Sequence, residues 1–157
     1  DATSCAGIIR GLLYLQRQDA DAPITLYINS PGGEVQSGLA LYDAMCAVSC
    51  PIRTVCLGLA ASMGALLFIA GDCREMLPHG RVMIHDPLIG GGMAGSALSA
   101  KARADDLMRI RDITAEVISR HSGMPLERVF ELTAKDTYFE ADEAVKAGLA
   151  DRVITSL

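Results

Sequence analysis

Apolar residues along this chain form two alternating patterns, short continuous runs and stripes at helical spacing. Runs bounded by turn residues predict short strands at PITLYIN, PIRTVCLGL, REMLP and RVMIH. Stripes of period three to four predict helices at CAGIIRGLLYLQRQ, EVQSGLALYDAMCAV and SMGALLFIAG. This alternation is typical of α/β domains with a mostly parallel sheet.

The second half of the chain is predicted to be mainly helical. The longest helix runs from about Ala97 to Arg120, with an apolar stripe along one side, and HSG ends it. PLERVFELTAK and ADEAVKAG predict two shorter helices, the second ending at Gly148, before a final strand LADRVITSL. With 157 residues, the pattern fits a single domain over 1–157.

Composition and charge narrow the possible partners. Half of the residues are apolar, which fits a globular protein, and the net charge of −5 without a basic run argues against nucleic acid or anionic membranes. The apolar stretch Leu57–Gly71 is shorter than the roughly 20 residues that a membrane span needs. No basic segment precedes an apolar block at the N-terminus, so we expect a cytoplasmic protein.

The five cysteines show no paired spacing typical of a metal site or a disulfide framework. We interpret them as free thiols in a reducing compartment, where they serve as small apolar core residues. They are Cys5, Cys46, Cys50, Cys56 and Cys73.

One hydroxyl lies inside the apolar stretch GLAASMGALLFIAG. A predicted strand ends at Ser62 and a helix leaves it, and the pattern Ala60-x-Ser62-x-Gly64 resembles a nucleophile elbow with its first Gly replaced by Ala. The unpaired N–H groups of a helix N-terminus favour an oxyanion beside such a serine. The alternative is that Ser62 only caps the helix.

A second turn, NSPGGEV, ends the first predicted strand. Pro31 cannot donate a hydrogen bond, whereas Gly32 and Gly33 allow positive φ and the close approach of another segment. Pro-Gly-Gly is also an ordinary turn, so this segment alone does not decide between a site and a loop.

A serine nucleophile needs a base, and the chain offers three histidines. His79 lies in a predicted turn, and His121 lies in the last turn of the long helix, where a cap is expected. His85 ends an apolar strand just before Asp86-Pro87, which is where α/β sheets form their sites. His85 is therefore the preferred base.

A carboxylate should orient the histidine, and the candidates are Asp86, Asp136 and Asp142. Asp86 is poorly placed because neighbours along an extended strand point to opposite faces. Asp136 precedes a short extended segment that could fold back, but these residues alone do not establish the contact.

Taken together, these blocks resemble the proteolytic subunit of the caseinolytic (Clp) serine proteases. The matching segments follow in order along essentially the whole chain, as ITLYINSPGGEVQSGLALYDAM, AASMGALL, RVMIHDPL and KDTYFEADEAVKAGLADRVI. The resemblance implies a Ser62 nucleophile, a His85 general base and acid, and an orienting Asp136. It implies that the Gly33 and Met63 N–H groups form the oxyanion hole.

The resemblance also implies the fold and the assembly. The fold would be the Clp protease/crotonase-like fold of repeated β-β-α units, with a head at 1–85 and 125–157 and a protruding handle at about 86–124. LIGGGMAGS matches the handle strand that pairs with substrate backbone, which implies substrate contacts at Gly90, Gly91, Gly92 and Met93.

The expected activity is that of an endopeptidase acting on unfolded polypeptide inside two stacked heptameric rings. Part of the apolar stripe of the long helix would then form the ring–ring interface. An AAA+ unfoldase would supply substrate using ATP, and the subunit itself would need no cofactor and no metal.

Four positions bear on how closely the resemblance holds. Asp86 stands where the family usually has Gln, Lys135 where an Arg commonly serves ring–ring contacts, and Ala47 replaces an aromatic of the unfoldase docking cleft. Tyr27 of that cleft is retained. A weaker double ring and weaker docking are the expected consequences.

Three other functions remain alternatives. A catalytically idle structural subunit of a mixed ring would share the fold. Such subunits usually lack the catalytic Ser, His or Asp, whereas this chain has all three. A crotonase-type acyl-CoA enzyme is a second alternative, but such enzymes are longer and work with carboxylates. A membrane-bound signal-peptide peptidase with Ser–Lys chemistry is the third, but the sequence offers no spanning segment.

Overall fold

A computed structural model of the protein describes residues 1–88 and 95–157. In these ranges strands and helices alternate along the chain, as predicted. The helices are α1 Ala2–Gln18, α2 Val35–Ala47, α3 Met63–Ile69, α4 Ala97–Ser122, α5 Leu126–Thr133 and α6 Ala141–Lys146. The strands are β1 Ile24–Ser30, β2 Ile52–Ala61, β3 Cys73–Met76, β4 Arg81–Ile84, β5 Thr137–Glu140 and β6 Arg152–Val153.

Strand β2 is the centre of the sheet. Its first half pairs in parallel with β1 and β3, and Leu59–Ala61 at its end pair in parallel with β4. β6 extends the sheet in parallel beyond β3, while β5 pairs antiparallel with the other side of β4. The prediction of a mostly parallel α/β sheet is confirmed.

The larger apolar core forms where α3 packs among the sheet and helices α4, α5 and α6. Phe68 of α3, Ile84 of β4 and Ile118 of α4 are each at most 1% exposed in this cluster. A second cluster joins α1 and α2 to the start of the sheet through residues such as Leu12 and Leu41. The two clusters hold β1 and β2 rigidly below the turns that end them.

Helix α4 belongs to the core only in its second half. Ala115, Val117 and Ile118 are buried, whereas residues 101–106 are all exposed and Leu98 is 80% exposed. The apolar stripe predicted along this helix is therefore divided between the core of the domain and its surface.

Several predictions about individual residues are corrected by the structure. The predicted final strand LADRVITSL is only Arg152–Val153, whereas the short extended segment predicted after Asp136 is present as strand β5. Cys50 and Cys56 are buried as expected, but the core assignment is wrong for Cys46, which is exposed near the end of α2.

None of the helices in the described ranges is long and apolar enough to cross a bilayer.

Buried charge in the sheet is compensated by arginines. Glu75 on β3 is 1% exposed and accepts hydrogen bonds of 2.7 Å from Nε of Arg53 and of Arg152. Burial alone would raise the pKa of Glu75, but the bonds from Arg152 and Arg53 outweigh it, so its pKa is lower than usual. This carboxylate thereby joins β2, β3 and β6.

His121 joins α4 to α2 through its side chain, so it has a different role from the predicted cap. Its Nε2 lies 3.1 Å from the Tyr42 hydroxyl, and its backbone carbonyl accepts a 2.8 Å bond from Arg74. Burial and the nearby charges of Arg120 and Arg74 lower the pKa of His121, and Asp72 opposes them. The neutral ring is thus the form that fits the folded protein.

Replacing His121 by Gln should flatten the pH dependence of stability. In the unfolded chain the imidazole takes up a proton below about pH 6.5, whereas the folded chain resists protonation until lower pH. The unfolded state therefore binds more protons in this window, and wild-type stability falls as the pH falls from about 6.5. Gln can still bond to Tyr42 but does not titrate.

Urea unfolding at pH 7.5 and pH 5.5, at one protein concentration, measures this difference. His79→Gln is the matched control because His79 is exposed in the turn between β3 and β4. Equal pH dependence in wild type and His121→Gln would contradict the prediction.

Candidate active site

Ser62 occupies a strained turn between β2 and α3. Its φ of 53° and ψ of −125° make it the single non-glycine residue with positive φ in 1–88 and 95–157. Such a conformation costs about 1–3 kcal/mol and persists only where the surrounding structure enforces it. The Ser62 N–H donates to the Met83 carbonyl at 2.9 Å, which fixes the turn against β4.

The hydroxyl of Ser62 does not cap α3. The helix begins at Met63, yet the side chain of Ser62 makes no capping hydrogen bond. It points instead to His85, whose Nε2 lies 2.9 Å from Oγ. The capping interpretation of this serine is therefore wrong, and the elbow interpretation describes the turn.

The pairing of β1 with β2 is irregular just before the turn that approaches Ser62, because Asn29 of β1 lies opposite three residues of β2, 57–59. The parallel register between β1 and β2 shifts between Ile28 and Ser30, and the Asn29 side-chain oxygen accepts the Leu59 N–H at 3.1 Å. The Ser30 hydroxyl then accepts the Gly32 N–H at 3.1 Å and closes the turn. The Asn29 side chain thus supplies a bond to β2 where the regular ladder is interrupted.

Gly32 allows the two turns to touch. Its φ is 96°, and a Cβ at this position would lie 2.6 Å from Ser62 Cβ and 2.8 Å from the Ala61 carbonyl oxygen. The same Cβ would lie 3.2 Å from the Met63 nitrogen. A residue without a side chain is therefore required for this approach.

Two backbone N–H groups, those of Gly33 and Met63, belong to these touching turns. Within the described residues neither donates to a protein acceptor, and Met63 is the first residue of α3, where N–H groups are free by geometry. Donors of this kind can stabilise negative charge that develops on a substrate oxygen.

His85 and Asp136 meet because β4 and β5 are antiparallel. Ile84 of β4 stands opposite Thr137 of β5, so the next pair in the register is His85 and Asp136. The His85 Nδ1 lies 3.1 Å from the Asp136 Oδ1, and the imidazole is largely buried, with 15% of its side chain exposed. The carboxylate is open to solvent, at 60%.

The other candidate acids and bases lie elsewhere. Asp86 turns away from the imidazole and pairs with Arg111, and Asp142 is exposed in the first turn of α6. Of the histidines, His79 is exposed in a turn and His121 contacts Tyr42. The structure thus brings Ser62, His85 and Asp136 into one chain of contacts.

This arrangement can activate a hydroxyl. An imidazole that donates from Nδ1 to Asp136 presents a lone pair on Nε2 to the Ser62 hydroxyl, which can then transfer its proton. In the described ranges no cluster of three or more His, Cys, Asp or Glu side chains is placed to hold a metal ion. The predicted substrate contacts at 90–93 lie outside the described residues.

The family model for "Clp protease" matches residues 1–157, the whole chain. The chain belongs to the Clp protease family. Its mixed α/β architecture is consistent with the fold of that family, a family of peptidases.

Sequence reasoning missed the role of Asn29 and of Ser30 in this Clp protease. Asn29 accepts a bond from β2 where the register shifts, and Ser30 packs against Gly64, where an added Cβ would lie 3.1 Å from the Ser30 Cβ. An Asn-Ser pair before Pro-Gly-Gly is a recognisable turn signal, but the register shift depends on pairing with β2, which local sequence does not reveal.

Replacing Gly32 by Ala should lower the rate of peptide hydrolysis strongly and the thermal unfolding temperature only modestly. The new methyl group would overlap the Ser62 turn, so the turn carrying the Gly33 N–H must move away. Where a backbone N–H serves as an oxyanion donor, its loss lowers the rate by about 10²–10³-fold. Hydrolysis of a fluorogenic peptide and thermal unfolding, measured on one preparation, give both quantities.

Gly7→Ala is the matched control for this substitution. An added Cβ at Gly7 would meet nothing within 4 Å, and the residue lies inside α1. Activity should stay at the wild-type level, and the helix should gain about 0.5–1 kcal/mol. Wild-type turnover by Gly32→Ala would show that the close approach of the two turns is not required.

Proposed function

We propose that this Clp-family chain is a serine endopeptidase in which Ser62 is the nucleophile. One observation carries the proposal, the continuous contact from the Ser62 Oγ through His85, 2.9 Å away, to Asp136 at 3.1 Å. Hydrogen-bond distances of this size place a nucleophile and its base within reach of proton transfer. An orienting carboxylate on the far nitrogen completes the arrangement.

In the proposed reaction Ser62 attacks the peptide carbonyl while His85 accepts its proton. His85 then donates that proton to the leaving amine. In the second half of the reaction His85 accepts a proton from water, which attacks the acyl-enzyme, and returns it to the Ser62 Oγ as that oxygen leaves. The Gly33 and Met63 N–H groups are the proposed oxyanion hole, which is supported by their position in the two touching turns. Asp136 holds the imidazole in the tautomer that the attack requires.

We extend the proposal to unfolded polypeptide as substrate, stacked heptameric rings as the assembly and an ATP-dependent AAA+ unfoldase as partner. Membership of the Clp protease family supports a ring assembly with an unfoldase in general terms. The exposed first half of α4, including Leu98 and Met108, supports an interface there. The five cysteines are free, which suits a reducing compartment such as the cytoplasm.

A catalytically idle ring subunit is the rival within the family. The intact contacts of Ser62, His85 and Asp136 favour an active subunit, because an idle one has no need of a strained serine or an aligned base. The acyl-CoA and membrane-peptidase alternatives receive no support from the match to the Clp protease family.

A fluorophosphonate probe should label wild type at Ser62 and should not label Ser62→Ala. Removing the nucleophile of such a relay lowers peptide hydrolysis by about 10⁴–10⁶-fold. Ser156→Ala is the control, because Ser156 is exposed near the end of the chain. A labelled-peptide map identifies the site, and absence of labelling in assembled wild type would favour the idle subunit.

Lys135→Arg should stabilise the proposed double ring. Lys135 is exposed beside Asp136, and Lys lacks the planar fork with which Arg binds a carboxylate through two hydrogen bonds. Native mass spectrometry over a dilution and salt series measures the fraction of double ring. A wild-type double ring that already resists dilution and salt would contradict the expected weakness.

A further inference from the structure

We infer that Asp86 and Arg111 are a pair of positioning residues, which hold Ser62, His85 and Asp136 in their hydrogen-bonded arrangement. The inference rests on the proposed function, since it assigns a role in the same reaction. Neither residue touches the reacting atoms, so neither is a catalytic residue.

Asp86 reaches α4 because it follows His85 directly in extended backbone. Neighbouring side chains then point to opposite faces, so the imidazole faces Ser62 while the Asp86 carboxylate faces away. Pro87 reinforces this geometry, because a residue that precedes proline is restricted to extended conformations. The carboxylate Oδ2 accepts a 2.7 Å bond from the Arg111 Nε.

Asp86 is also bound to the segment that carries Asp136. Its backbone N–H donates to the carbonyl of Thr133, the last residue of α5, at 2.7 Å. Asp136 follows three residues later, so one short bond joins the strand end that carries the base to the loop that carries the orienting carboxylate. The bond thus lies close to the contact between His85 Nδ1 and Asp136 Oδ1, which are 3.1 Å apart.

Arg111 of α4 contacts both α5 and the segment that follows β4. Its guanidinium carbon lies 4.0 Å from the centre of the Phe130 ring on α5, in cation–π geometry, while Nε binds Asp86. The side chains of Arg111 and Asp86 are only 24% and 31% exposed, so solvent screens the pair less than an exposed pair. Removing either partner leaves a half-buried charge beside His85.

The other ion pairs of α4 differ in character. Lys101–Asp105 and Arg109–Asp106 lie within the helix at i,i+4 and i,i+3 spacing, and their side chains are more than half exposed. Such pairs contribute little to stability and join no other element. Arg109 therefore provides a control on the same helix, two residues from Arg111.

The test compares Arg111→Gln, Asp86→Asn, the double variant, Arg111→Lys and Arg109→Gln. We expect Arg111→Gln and Asp86→Asn each to lower kcat on a short fluorogenic peptide by about tenfold, because misplaced reacting groups slow the chemical step. KM should change by less than about twofold, since neither residue faces the serine. The fluorophosphonate labelling rate should fall in parallel with kcat.

Two further comparisons separate positioning from general destabilisation. The double variant should lose no more activity than the worse single variant, because the two substitutions break one interaction. Arg111→Lys should recover part of the rate, since an ammonium group restores the charge but not the planar stacking on Phe130. Arg109→Gln should match wild type.

Unchanged kcat in Arg111→Gln, multiplied losses in the double variant, or a change confined to KM would each overturn the inference. If Arg111→Gln does not fold, the kcat of Asp86→Asn tests the inference instead. This substitution keeps the size of the side chain and removes only its charge. Failure of wild type and Arg109→Gln to label would refute the proposed function, and the inference would fall with it. Normal labelling with an unaffected Asp86→Asn overturns the inference alone.

Discussion

Strand β4 lies between β2 and β5, and its registers with these two neighbours fix the position of His85. On one side Ala61 stands beside Met83, so the Ser62 turn is bound to the strand that leads to the histidine. On the other side Ile84 stands opposite Thr137, which places Asp136 next to the histidine ring. A shift of either register by one residue would move a side chain to the opposite face of the sheet and separate the three groups.

Strands β1 to β4 were predictable from local pattern, and so was the importance of His85. A polar ring directly after an apolar strand was visible in RVMIH, and the apolar surroundings of Ser62 were visible in AASMGALL. The choice between Asp136 and Asp142 was not available from the residues alone, because it depends on the antiparallel pairing of a four-residue strand with β4. Only the resemblance to the Clp proteases indicated Asp136 before that pairing was known.

Other differences arise from tertiary contacts that single positions do not reveal. The contact of His121 with Tyr42 depends on where the end of α4 lies relative to α2, and Cys46 is exposed on α2 although Tyr42 and Met45 of the same helix are buried. The register shift opposite Asn29 likewise depends on β2, which begins more than twenty residues later. Periodicity reports which residues prefer burial, but the partner that buries them is set by the whole fold.

His85 and Asp136 lie in different dielectric surroundings. The imidazole of His85 is largely enclosed, whereas Asp136 has 60% of its side chain in solvent. Water screens a charge in that position, so its electrostatic effect on the ring is weaker than that of a buried carboxylate. The contribution of Asp136 is therefore first geometric, because one hydrogen bond fixes both the tautomer and the plane of the imidazole. The backbone around the pair must then supply the precision, which explains why short bonds from neighbouring elements converge on the residues beside it.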